Sequence, residues 1–259
     1  MKAVLSIAGS DSSGGAGIQA DIKTIAAHGL FAETAITALT AQNTLGVAGV
    51  LDIDPGFVEA QIDAVFEDIR PDAVKVGMVS SSEIILAIAR ALERHGAANI
   101  VVDPVMVATS GARLIGEDAI ETLKSRLLPL ATVTTPNMPE AEVLCGFPVW
   151  DEASMGLAAH ELAHATGAAV LVKGGHSDDR ADDVLVVGEE PLWLRAPRID
   201  TSNTHGTGCT LSSAVACGLA LGYSIEQAVR SAKDYVHGAL AAGLDLGRGS
   251  GPLDHMWEY

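Results

Sequence analysis

The stretch AVLSIAGSDSSGGAGIQADIKTIAAHG, residues 3–29, decides the fold. Residues 3–8 are almost continuously apolar, which predicts a strand covered on both faces rather than one with a wet side. Gly, Ser and Asp then punctuate the chain, and a helical pattern runs from about residue 15 to 28. A buried strand feeding directly into a helix is the first half of a βαβ unit. Outward from it the alternation continues, with strands at 34–42, 73–77, 99–104, 131–137 and 168–175 and helices at 56–69, 81–95, 117–127, 138–145 and 152–166. This predicts an α/β fold, doubly wound, with a mostly parallel central sheet flanked by helices. Residues 45–54 and 182–199 depart from the alternation and read as small β-ribbons, the second reversing at 188–191. Helices near 207–221 and 224–242 close the chain. With 259 residues and no low-complexity linker, one domain over 1–259 is expected.

The formal net charge is −17, and no Lys/Arg cluster offsets it, so a phosphate backbone would be repelled and no nucleic-acid partner is expected. The same repulsion means that a nucleotide must be held by local devices: helix N-termini, one or two lysines and a metal. Cys145, Cys209 and Cys217 show no CxxC spacing and do not make a disulfide framework, which fits a reducing cytoplasm. The opening residues carry no secretory pattern. No apolar run reaches the roughly 18–20 residues that cross a bilayer, so a soluble protein with no membrane partner is expected.

In open α/β sheets ligands sit beyond the carboxyl ends of the strands. There the predicted strands run into GSDSSGGAG, AQN, GMVSS, DPVM, TPNMPE and KGGH, a set that reads as a polar pocket. Gly14, Gly15 and Gly17 do not spell GxGxxG, and no acidic residue ends the second strand, so the dinucleotide fingerprint is incomplete. The loop serves either a tight helix–sheet turn or a close backbone approach to a ligand. The chain contains no Gly-Lys dipeptide and therefore no P-loop.

HELAHATG (160–167) carries the HExxH pattern of zinc proteases in His160, Glu161 and His164. The stripe Met155, Ala158, Ala159, Leu162 and Ala165 should face inward, which turns those three residues to water, and position 170, where a third ligand would stand, is Val170. A solvated helix face is the better reading. Asn137 and Glu140 in TPNMPEAE form a capping-box pair, and the same carboxylate could stand near a hydrated Mg²⁺; the two readings are compatible. Lys173 ends an apolar strand, is costly to bury without an anion, and so suggests a phosphate contact. GTGCT (206–210) sets consecutive amides at a helix N-terminus, an arrangement that attracts anions. Cys209 in that field is expected to have a lowered pKa, whereas Cys217 reads as a small core residue.

Taken together, IAGSDSSGGAGIQAD (7–21), TALTAQNTLGV (37–47), VVDPVM (101–106), TPNMPEAE (135–142), VLVKGGH (170–176), APRIDTSNTHGTGCTLSSA (196–214) and GPLDH (251–255) resemble the hydroxymethylpyrimidine/phosphomethylpyrimidine kinases of thiamine biosynthesis, in the ribokinase-like superfamily. The resemblance implies ATP-dependent phosphorylation, with Mg²⁺, of 4-amino-5-hydroxymethyl-2-methylpyrimidine and then of its monophosphate, by a homodimer. It implies Gln42 as the pyrimidine-binding amide and Gly9, Met78 and Val105 as pocket wall. Gly206, Gly208 and Cys209 fall in the anion hole, with Thr207 and Gly208 at the nucleotide and Cys209 standing where many sugar kinases of the superfamily place an Asp base. Lys173 falls at the ATP phosphates, Asn137 and Glu140 in the Mg-water motif, and Asp103 in the same metal region. Ser202 departs from relatives that have a basic residue before NTHGTG. The runner-up is a pyridoxal or pyridoxine kinase of the same superfamily; from another class, a zinc peptidase on HELAH would require bound zinc.

Overall fold

The structure, a computed structural model, describes residues 1–107, 114–175 and 180–259. His176, which ends the VLVKGGH motif, lies outside the described residues. In chain order the strands are β1 (Ala3–Asp11), β2 (Phe31–Asn43), β3 (Gly46–Asp52), β4 (Ala73–Val76), β5 (Ile100–Val102), β6 (Val133–Thr134), β7 (Ala169–Val172), β8 (Asp183–Val187) and β9 (Glu190–Leu194). The helices are α1 (Gly17–Ala27), α2 (Pro55–Asp68), α3 (Ser82–His95), α4 (Glu117–Thr122), α5 (Met138–Cys145), α6 (Glu152–Thr166), α7 (Thr207–Ala220) and α8 (Ile225–Ala242). The strands form one sheet in the order β3-β2-β1-β4-β5-β6-β7-β8-β9. From β2 to β7 the pairing is parallel; β3 joins the edge of β2 and the β8–β9 hairpin joins β7 antiparallel. The expected mostly parallel sheet and both ribbons are present.

Period-two alternation sends strand side chains into two cores. Leu5, Ile7, Val74, Val76, Val102, Val170 and Val172 pack with α2, α3, α5 and α6 on one face. Val4, Val101, Val133, Leu171 and Leu185 pack with α7 and α8 on the other. On this second face a fully buried ion pair ties the helices to the sheet. Lys75 Nζ on β4 lies 2.9 and 2.8 Å from the two carboxylate oxygens of Asp21 on α1, which also accept from Ser6 on β1 and Ser213 on α7.

Several boundaries differ from expectation. β5 and β6 are shorter than 99–104 and 131–137, because Pro104 and Pro136 lack the amide that would continue a ladder. The chain leaves the sheet there and releases Asp103 and Asn137 beyond the carboxyl ends of the strands. The helix expected over 117–127 is regular only to Thr122 and continues as a wide π-type turn over Leu123–Leu127. Ala165 is exposed rather than part of the buried stripe of α6, while Glu161 and His164 face solvent as expected.

Candidate active site

Chain order reverses between β1 and β4, so the loops beyond their carboxyl ends diverge and leave a crevice. A cavity of about 180 Å³ occupies it, and every site residue that the kinase resemblance implied lines it: Gly9, Gln42, Met78, Asp103, Val105, Asn137, Glu140, Lys173, Gly206, Thr207, Gly208 and Cys209. His160, Glu161 and His164 lie elsewhere, around a separate surface hollow beside β7.

At one end stand Gly9, Met78, Val105 and Gln42. A Cβ on Gly9 would come within 2.9 Å of Met78 Sδ, so glycine keeps this wall open. Gln42 sits where the β2–β3 register shifts, a bulge that re-aims its side chain. Its amide lies between Thr40 Oγ1, at 3.1 Å, and His205 Nε2, at 3.4 Å. His205 Nε2 also lies 2.8 Å from Asp11 Oδ2. Asp11 accepts from the amides of Ser13, Gly15 and Ala16 and from the Ser13 hydroxyl. Burial alone would raise its pKa, but the bonds from His205 and Ser13 outweigh burial and hold it at about 2. Asp11 and His205 are functional candidates that the sequence reading missed; they are 194 residues apart, and no local spacing links them.

At the other end the N-terminus of α7 opens on the cavity. Its N-cap, Gly206, has φ +87°, and a Cβ there would fall 1.9 Å from the carbonyl oxygen of Gly15. The Gly-rich loop after β1 is thus a surface against which the GTGCT turn closes backbone to backbone. Gly206 has no side chain to cap the helix, and while the Thr207 amide donates to the Thr204 carbonyl, the amides of Gly208 and Cys209 are left for another acceptor. Next to them, Gly208 lies tightly against the charged pair: a Cβ would lie 3.3 Å from Lys173 Nζ and 3.4 Å from Asp103 Oδ2. Lys173 Nζ bonds Asp103 Oδ1 at 2.9 Å, and Thr135 Oγ1 donates to the same oxygen at 3.0 Å. The anionic partner of Lys173 within the chain is therefore Asp103. Asn137 and Glu140 make the full capping box of α5, with both bonds at 2.8 Å. Burial pushes the Glu140 carboxyl up to about 7, with Lys173 opposing and Asp103 adding to the shift.

One expectation is overturned at Cys209. Its pKa is raised to about 11, not lowered: desolvation is the leading cause, and the carboxylates of Asp21 and Asp103 offset the favourable Lys75 charge. Cys209 lies in the first turn of α7, where the helix field acts, but desolvation and two buried carboxylates near the sulfur work against that field. At neutral pH Cys209 is a thiol. Cys217 is fully buried, as expected.

The family model described as phosphomethylpyrimidine kinase matches residues 11–254. The chain belongs to the phosphomethylpyrimidine kinase family. A hydroxymethylpyrimidine/phosphomethylpyrimidine kinase from Rhizobium meliloti is 52% identical over 98% of this chain and 97% of its own. A bifunctional thiamine biosynthesis protein of Geobacter sulfurreducens is 49% identical over 98% of this chain, which matches 52% of that longer protein. Among solved structures, an ADP complex of Bacillus subtilis pyridoxal kinase superposes with a TM-score of 0.91 at 37% identity, over 98% of this chain and 97% of the other. Membership in this kinase family displaces the zinc peptidase reading. Val170, where a third ligand would stand, is a fully buried residue of β7 in the kinase.

Proposed function

We infer that this kinase transfers the terminal phosphoryl group of ATP to the hydroxymethyl group of 4-amino-5-hydroxymethyl-2-methylpyrimidine, and then to the resulting monophosphate, yielding the pyrophosphate used to build thiamine phosphate. The observation that carries this reading is the division of one cavity into an amide-and-apolar end, Gln42 with Met78 and Val105, and a cationic, amide-rich end, Lys173 with the N-terminus of α7. The first end suits a flat nitrogen heterocycle. The second suits phosphate oxygens. Gln42 binds the ring edge, Lys173 and the Gly208 and Cys209 amides hold the transferring group, and Cys209 packs beside the acceptor hydroxyl. Phosphoryl transfer needs mainly alignment and charge stabilisation, which this arrangement supplies.

Mg²⁺ fits the donor set. It is held through one or two carboxylates, with water and substrate phosphates completing its shell. Glu140 is a buried carboxylate on the cavity wall with an elevated pKa, the state that an apposed cation relieves, and Asp103 is near enough to add to that shift. Among the described residues no cluster of three or more His, Cys, Asp or Glu could cage a metal by itself. When bound, Mg²⁺ would neutralise phosphate charge; Glu140 would hold its water shell while Lys173 shifts from Asp103 toward the nucleotide.

A second reading, a pyridoxal kinase, is favoured by the overlap with the Bacillus subtilis enzyme. Chromatography and mass analysis after incubation with ATP and Mg²⁺ separate the two: sequential appearance of the pyrimidine monophosphate and pyrophosphate is expected. Turnover of pyridoxal alone would transfer the reading to that enzyme. The exposed apolar residues Leu45, just before β3, and Val50 and Leu51 on that edge strand suit a homodimer contact, and a cytoplasmic site of action fits the free cysteines.

A further inference from the structure

The surroundings of Gln42 contain a count of protons that fixes how its amide is turned. Thr40 has one hydroxyl proton, and the carbonyl oxygen of Ser10, 2.7 Å away, takes it. Toward Gln42, Thr40 Oγ1 therefore offers a lone pair. On the other flank, Asp11 is ionised, and a carboxylate can only accept. His205 Nε2, 2.8 Å from it, must carry a hydrogen, in the neutral tautomer and the imidazolium alike. Toward Gln42, His205 thus presents a donor. With Oε1 at Thr40 and Nε2 at His205, acceptor would meet acceptor and donor would meet donor. Turning the amide by half a rotation removes both conflicts, and the two orientations differ in nothing but which atom is nitrogen. Nε2 then donates to Thr40, and Oε1 shares the His205 proton at the long distance of 3.4 Å.

The two flanks occupy the lateral valences of the carboxamide. One N–H and one oxygen lone pair remain, coplanar and side by side, on the edge left for the cavity that Gln42 lines. The polarity of that edge is set: acceptor on the His205 side, donor on the Thr40 side. An aminopyrimidine edge, with an exocyclic amine beside a ring nitrogen acceptor, fits in one orientation only. The corresponding oxo compound, with a carbonyl beside a ring N–H, is its mirror in hydrogen-bonding terms. A glutamine free to turn would take both.

We propose that Asp11, His205 and Thr40 are positioning residues that lock the polarity of the Gln42 amide, and that this lock makes the kinase select 4-aminopyrimidines over their 4-oxo counterparts. The proposal rests on the pyrimidine reading above. Its test is kcat/KM for 5-hydroxymethyl-2-methylpyrimidine carrying either a 4-amino or a 4-oxo group, in the wild type, His205→Leu, Thr40→Val and the double variant, with Gln42 retained throughout. The wild type is expected to prefer the amine by about 10² or more, as sites that leave buried polar groups unpaired against the wrong substrate do. Releasing either flank should lower the ratio by about tenfold and releasing both should lower it further, because the amide can then turn. If His205→Leu does not fold, Thr40→Val carries the test. A merely structural role would slow both substrates and leave the ratio unchanged; that result overturns the lock, as does a wild type that accepts both equally. A wild type that turns over neither pyrimidine overturns the substrate reading itself and the lock with it.

Discussion

Lys173 and Cys209 sit side by side and carry opposite consequences of burial. Burial would strip the proton from Lys173, but the carboxylates of Asp103 and Glu140 raise its pKa above the ordinary value, so the ammonium persists at every physiological pH. Lys173→Ala should lower kcat by roughly 10² or more through lost charge stabilisation. Calorimetry without nucleotide should find pyrimidine affinity nearly unchanged; its collapse would place Lys173 at the acceptor end. Cys209, pushed up to about 11, should alkylate with iodoacetamide slowly at pH 7 and with a midpoint far above that of free cysteine. A midpoint near neutrality would restore the thiolate. Since a thiol is no standing base, Cys209→Ala should slow both phosphorylations to a similar degree, and a first-step loss larger by about 10² would mark proton abstraction by sulfur. Lys173 was legible because it stands just past a strand end, and Glu140 because it belongs to the capping box that opens the next helix. The raised pKa of Cys209 was not, since Asp21 and Asp103 reach it from two other elements.

The elements that present these residues are fixed partly by local signals and partly by one buried pair. Capping boxes at Asn137/Glu140, Asp151/Ser154 and Ser224/Gln227 start α5, α6 and α8. α7 differs, since glycine caps it without a side chain and its amides stay open to a ligand. What holds α7 in place includes Ser213, one turn beyond Cys209, on Asp21 at 2.8 Å. Asp21→Leu would strand the Lys75 ammonium in the core and should cost about 3–5 kcal/mol in denaturant unfolding. Asp21→Leu with Lys75→Met should recover most of that stability, because an apolar replacement of both partners removes the unpaired charge. A double variant as unstable as the single would mean that the helix-to-sheet ties through Ser6 and Ser213, not the charges, carry the effect. Nothing in the linear pattern pairs Asp21 with Lys75, 54 residues apart.

Across the whole molecule the surplus of acid has a cost at one internal point. Glu33 on β2 is buried, its Oε2 has no partner among the described residues, and burial followed by repulsion from Asp68 and Asp72 pushes its pKa up to about 7. A carboxyl whose pKa is higher folded than unfolded binds more protons when folded, so stability falls as pH rises from the unfolded value of about 4.5 through 7. Glu33→Gln should therefore be more stable than the wild type by roughly 2–3 kcal/mol at pH 8 and about equal to it at pH 4. Thermal unfolding at the two pH values checks this; a gap independent of pH would exclude titration of Glu33 as its source. The sequence by itself determined the alternation of strands and helices, the ribbons, the cap chemistry and the residues at the strand ends, because periodicity and turn residues act over a few positions. Only the tertiary structure decided that Asp11 meets His205, that Asp21 meets Lys75, that Lys173 rests on Asp103 and that Cys209 keeps its proton. Those outcomes depend on burial and on charges brought together from distant segments, and desolvation acts on the folded neighbourhood rather than on the chain.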